Sequence, residues 1–106
     1  MTSEKSEAQV KEEFSAADKR DNGPKLPKID FATFVFSLNS SALVHLGLLD
    51  DPATSQKSKN LPIAKQTIDI LGMLEEKTRG NLSKEEEDML NHILYDLRLL
   101  YVREKV

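Results

Sequence analysis

The run FATFVFSLNSSALVHLGLL, Phe31 to Leu49, holds no charged residue in a chain that is 31% charged. Apolar surface left in water costs about 25 cal/mol per Å², so such a run demands a cover. At 100° per residue, Phe31, Phe34, Val35, Leu38, Ala42 and Leu46 form the centre of one helical face, and Ala32, Phe36 and Leu43 widen it. The opposite strip is Thr33, Ser37, Ser40, Ser41 and Val44. A surface helix normally turns charge toward water on that side. This one has none to turn.

Three covers compete for the strip. Lipid is the first, since about eighteen uncharged residues meet the minimum length of a span. Against it, Asn39, His45 and the serines lie within the run, where polar groups need partners. No Lys, Arg or aromatic belt marks its Asp50-Asp51 end either. The rest of the chain is the second cover, but two further helices do not surround a third. A second copy is the third. Thr33, Ser37 and Ser41 recur every four residues and let another helix approach closely, most simply in a two-fold pair. A homodimer built on Thr33, Ser37, Ser40, Ser41 and Val44 is the expectation.

Local signals set the helix boundaries. Asp30 has N-cap chemistry and Gly47 suits a left-handed C-terminal position, which predicts a helix over about 31–46. Asp50, Asp51 and Pro52 then break the chain, and Leu48 to Asn60 reads as a loop longer than most helix–helix links. Asn60 caps a second helix over about 61–78, with Pro62 tolerated in its first turn. Its apolar face is Ile63, Ala64, Ile68, Ile70, Leu71 and Leu74. Gly80 in the left-handed region, with Leu82 folding back, predicts a Schellman motif. Ser83 with Glu86 forms a capping box for a third helix over about 84–104, whose acidic first turn suits the helix dipole. Met89, Leu90, Ile93, Leu94, Leu97 and Leu100 make its main stripe; Tyr95, Leu99 and Val102 make a second patch that calls for another packing partner. The predicted class is all-α: a three-helix domain over 30–106 with a tight αα-hairpin at Gly80 and no strand.

Residues 1–29 read as a disordered polar leader. Val10 and Phe14 allow a transient helix around Glu7 to Asp18 but bury too little to offset its ordering entropy. Asp21-Asn22-Gly23-Pro24 breaks any helix. The opening MTSEKSEAQVKEEF has no secretory pattern. A net charge of −3 argues against nucleic acid, which demands a basic stripe. Without cysteine there are no disulfides and no cysteine-rich zinc site. A core this small supplies about 3–5 kcal/mol, so self-association is the stabilising device left. The expected location is cytoplasmic.

Candidate chemistry is sparse. Asp88, His92 and Asp96 share a helix face at metal-ligand spacing, but a solvated charged face explains them. His45 reads as a core or interface histidine, and Asp50-Asp51 as a helix-ending turn. Lys77-Thr78-Arg79-Gly80 ends a helix, whereas phosphate prefers a helix start. The turn before Ser83 is no DNA reader, because Glu85 to Asp88 face where phosphates would lie. No cofactor, no metal and no enzymatic activity are expected.

Ser-Ala-Leu-Val-His-Leu-Gly from Ser41, Ala-Lys-Gln-Thr-Ile-Asp from Ala64, and Lys77-Thr78-Arg79-Gly80-Asn81-Leu82 resemble a bacterial family, the domain of unknown function "eighteen forty-four". The resemblance runs from about Ile29 to Val102 and departs most between Leu48 and Lys59. It implies the domain boundaries and a bacterial cytoplasm, and carries no assigned activity or site. The expected function is a homodimeric, non-catalytic helical interaction protein with a protein partner yet to be identified. A membrane-associated factor using 31–49 is the alternative, and an enzyme with an interface site around His45 and Asn39 is the third.

Overall fold

Three apolar helix stripes meet in one core. A computed structural model describes residues 4–20 and 26–106. Its elements are α1 (Glu7–Arg20), α2 (Phe31–His45), β1 (Asp50–Asp51), β2 (Gln56–Lys57), α3 (Leu61–Thr78) and α4 (Lys84–Lys105). Val35, Ala42 and Leu46 from the α2 region are buried against Ala64, Ile68 and Leu71 of α3 and Leu90, Ile93, Leu94 and Leu97 of α4. Their spacing of three, four and seven residues is what a helix needs to keep one face inward. Thr67 is the buried polar residue, and its hydroxyl donates to the Ile63 carbonyl at 3.1 Å. Among the described residues no buried side-chain polar atom lacks a partner.

The caps explain where each helix starts. Asp30 accepts the Thr33 amide at 2.8 Å and Asn60 accepts the Ile63 amide at 3.2 Å. Ser83 accepts the Glu86 amide at 3.1 Å while the Glu86 carboxylate accepts the Ser83 amide at 2.8 Å, the reciprocal exchange of a capping box. At the end of α2, Gly47 at φ +83° donates to Val44 and Leu48 donates to Leu43, the two bonds of a Schellman motif.

Gly80 has the same φ of +83° but a different turn. Arg79 is extended at ψ 128°, and the Asn81 amide donates to the Thr78 carbonyl at 2.8 Å. Thr78–Asn81 is therefore a type II turn with glycine at its third position, and not the Schellman motif expected there. Both turns place a positive φ on glycine, so the residue type alone does not separate them. Leu82 packs half-buried against the core in either case.

Among the described residues the fold is all-α, with four helices instead of three. The added helix, α1, begins with Ser6 and Gln9 bonding each other's main-chain amides at 3.2 and 2.9 Å, a second capping box. Lys5 and Glu13 form an ion pair at 2.8 Å along it. Among the described residues it adds none to the core, and Phe14 is 79% exposed. The expected break at Asp21-Asn22-Gly23-Pro24 lies outside the described residues.

The connection from α2 to α3 holds a β-ladder where no strand was expected. Asp50 pairs with Lys57 and Asp51 with Gln56, antiparallel. Asp51 organises the turn: its carbonyl accepts from Thr54 and Ser55, and its carboxylate accepts the Ala53 amide at 2.9 Å. Ser55 adopts φ 58° to close it, a conformation non-glycine residues seldom take. The connection is pinned at its end by the Asn60 amide donating to the His45 carbonyl at 2.7 Å, and by Lys59 bonding Glu104 of α4 at 2.9 Å.

Candidate interaction surface

The outer face of α2 contains Thr33, Phe36, Ser37 and Ser40, all exposed and none charged. Phe36 is 52% exposed on one flank, and Phe34 is exposed on the other. Phe34 was expected in the centre of the buried arc. Two covering helices leave its side of α2 open. The Ser37 hydroxyl donates to the Phe34 carbonyl of its own helix at 2.7 Å. That back-bond satisfies the Ser37 donor without water, so this hydroxyl can be dehydrated at little cost.

Val44 corrects the expected strip. It is only 8% exposed, and Ser41 is half-buried, so neither stands on an open face. Beside it stands the β1–β2 hairpin, where the sequence offered plain loop. Between α2 and the hairpin lies an open groove of about 610 Å³. Val44, Leu49 and Pro52 supply its apolar lining, and Asp50 and Asp51 its acidic edge. Ser37 and Ser40 belong to both the groove and the outer face. His45 also borders it, with Nδ1 at 2.9 Å from the Ser41 carbonyl.

The remaining candidates stay apart from one another. His92 lies 3.1 Å from Asp96 on a well-exposed face, while Asp88 is turned to Lys84 at 3.1 Å. Among the described residues no group of three or more His, Asp or Glu side chains could hold a metal ion. Asp30 works as a cap: hydrogen bonds from the Thr33 side chain and then its amide hold its carboxyl below the ordinary carboxylate range. Hydrogen bonding to Glu75 raises Arg79, and hydrogen bonding to Asp88 raises Lys84; these are solvated pairs on helix surfaces. Tyr95, Leu99 and Val102 are exposed on the outer side of α4. Among the described residues no helix is long and apolar enough to cross a membrane.

Two features were missed in the sequence. Ser6-Glu7-Ala8-Gln9 matches the capping-box spacing and signals the start of α1. The hairpin gave no comparable signal, because its turn has neither Gly nor Asn.

No curated protein and no solved structure matches the chain. The family described as Domain of unknown function (DUF1844) matches residues 28–103, which takes in α2, the hairpin, α3 and all but the end of α4 and leaves out α1. By that match over most of its length, the chain belongs to the DUF1844 family.

Proposed function

We propose that the protein is a small non-catalytic helical module that works as a homodimer through the outer face of α2, and recruits a protein partner. One observation carries the dimer: a helix with no charged residue exposes Thr33, Phe36, Ser37 and Ser40. The surfaces of α3 and α4 instead carry charge, as in the Lys65–Asp69 and Lys84–Asp88 pairs. A core drawn from about seventy-five residues stabilises weakly, and burial between copies adds to it. The Tyr95, Leu99, Val102 stripe and the Val10, Phe14 face of α1 are then left for the partner. The proposed setting is the bacterial cytoplasm, which the cysteine-free composition supports.

Light scattering behind a sizing column tests this. The expected result is a concentration-stable dimer that Ser37→Glu splits. A monomer at all concentrations contradicts the reading, and flotation of the protein with lipid vesicles would favour a membrane-surface role in its place.

A further inference from the structure

We propose that the groove between α2 and the β1–β2 hairpin is filled by the Leu26–Ile29 stretch of the second copy, in a dimer whose α2 helices run antiparallel. This rests on the reading of α2 as the dimer face and says what completes that face.

The groove is continuous with the outer face through Ser37 and Ser40. Its acidic edge is unspent. Asp51 gives one carboxylate oxygen to the Ala53 amide, and among the described residues the Asp50 carboxylate has no partner. The stretch before α2 has the opposite character. Leu26 is 91% exposed and Ile29 67% exposed, two large aliphatic side chains with nothing over them. Lys28 lies between them, and among the described residues it forms no ion pair.

Lys28 and the Asp50-Asp51 edge favour one orientation, with the Asp30 cap carboxylate opposing it in part. A parallel two-fold pair sets Lys28 beside Lys28 and the Asp50-Asp51 edge beside its own copy, both repulsive within a Debye length of about 8 Å. An antiparallel pair centred on Ser37 sets Phe31 of one copy beside Leu43 of the other. Asp30 leaves α2 extended, and at about 3.3 Å per extended residue the stretch before it can continue past Val44 to the hairpin. There Ile29 meets the apolar lining of Val44, Leu49 and Pro52, and Lys28 meets Asp50 and Asp51.

The same chain cannot supply Ile29 to its own groove. Phe31 and Val44 are about 20 Å apart along α2 at 1.5 Å per residue. Two residues of chain reach about 7 Å. Ile29 therefore reaches the Val44 end of a groove only from a second copy.

The cysteine-free sequence makes a clean test. Full-length Ile29→Cys and Leu49→Cys proteins are prepared separately, mixed, allowed to exchange and oxidised. A mixed disulfide between the two variants is expected, because each carries one thiol. Ser37→Cys, near the two-fold axis, should link to itself. Lys28→Glu should weaken the dimer about tenfold, and adding Asp50→Lys, which leaves the Asp51 turn intact, should restore it to within about twofold. If Ser37→Cys links to itself while Ile29→Cys links only to itself, the helices are parallel: the groove proposal fails and the dimer reading stands. If no variant links and light scattering gives monomers, both fall.

Discussion

The inner and outer faces of α2 are made of similarly uncharged residues and are treated oppositely by the fold. Val35, Ala42 and Leu46 are fully buried, whereas Thr33, Phe36, Ser37 and Ser40 face solvent. On α3 and α4 the buried stripe is matched by a charged surface, with the Lys65–Asp69 and Lys84–Asp88 pairs on the outside. The difference teaches that lack of charge marks a surface to be covered but does not name the cover. Inside, α3 and α4 supply it. Outside, Val44 is buried beside the hairpin groove, and the proposed dimer would cover the rest.

Leu46→Ala should produce the largest effect on the inner face. Truncating a fully buried leucine costs about 2–5 kcal/mol, comparable with the whole stability of a domain this size. Urea unfolding should show a largely unfolded chain, whereas Leu99→Ala, on the exposed side of α4, should stay near wild type. The two glycine turns give a smaller contrast. A side chain at φ +83° is strained by about 1–2 kcal/mol at either. At Gly80 an added Cβ meets nothing within 4 Å, but at Gly47 it lies 3.3 Å from Lys59. Gly47→Ala should therefore lower the thermal midpoint more than Gly80→Ala, and equal losses would show that the packing beside α2 is looser than described. Next comes Asn60→Ala, which removes the α3 cap and should cost about 1 kcal/mol in chemical denaturation.

The smallest effect is on pH dependence. Because the folded Asp30 carboxyl is held low by Thr33, its stabilising contribution is present above the ordinary carboxylate range and is lost as pH falls through the lowered value. Asp30→Asn keeps a capping oxygen and should flatten that part of the acid profile. An unchanged profile would show that the cap does not discriminate between the two protonation states.

Much of the domain was legible because it is written in local chemistry. The expected spans of 31–46, 61–78 and 84–104 fall within one residue of α2, α3 and α4. Asp30, Asn60 and Ser83 with Glu86 act on amides three residues away, so their roles do not depend on the rest of the fold. What escaped depends on distant chain or on main-chain geometry. Val44 is buried beside a hairpin held by Asp51 and the positive φ of Ser55, which side-chain pattern does not announce. Phe34 lies open because α3 and α4 stop short of it. At Gly80 the glycine was read correctly and its turn was not, since a type II turn and a Schellman motif make the same demand on that residue. Of the expected strip, Thr33, Ser37 and Ser40 are exposed, whereas Val44 and Ser41 were placed too far out.

Ser40→Glu tests the central claim most directly, because it charges the outer face and touches nothing in the core. Light scattering and far-ultraviolet circular dichroism on the same sample read both faces at once. The account expects the mass to fall from twice the 12.0 kDa chain to the chain itself. The helical signal should be retained, as a surface substitution changes stability by about 0.5 kcal/mol or less. A dimer that survives Ser40→Glu, or a wild type that is already a monomer, would contradict it.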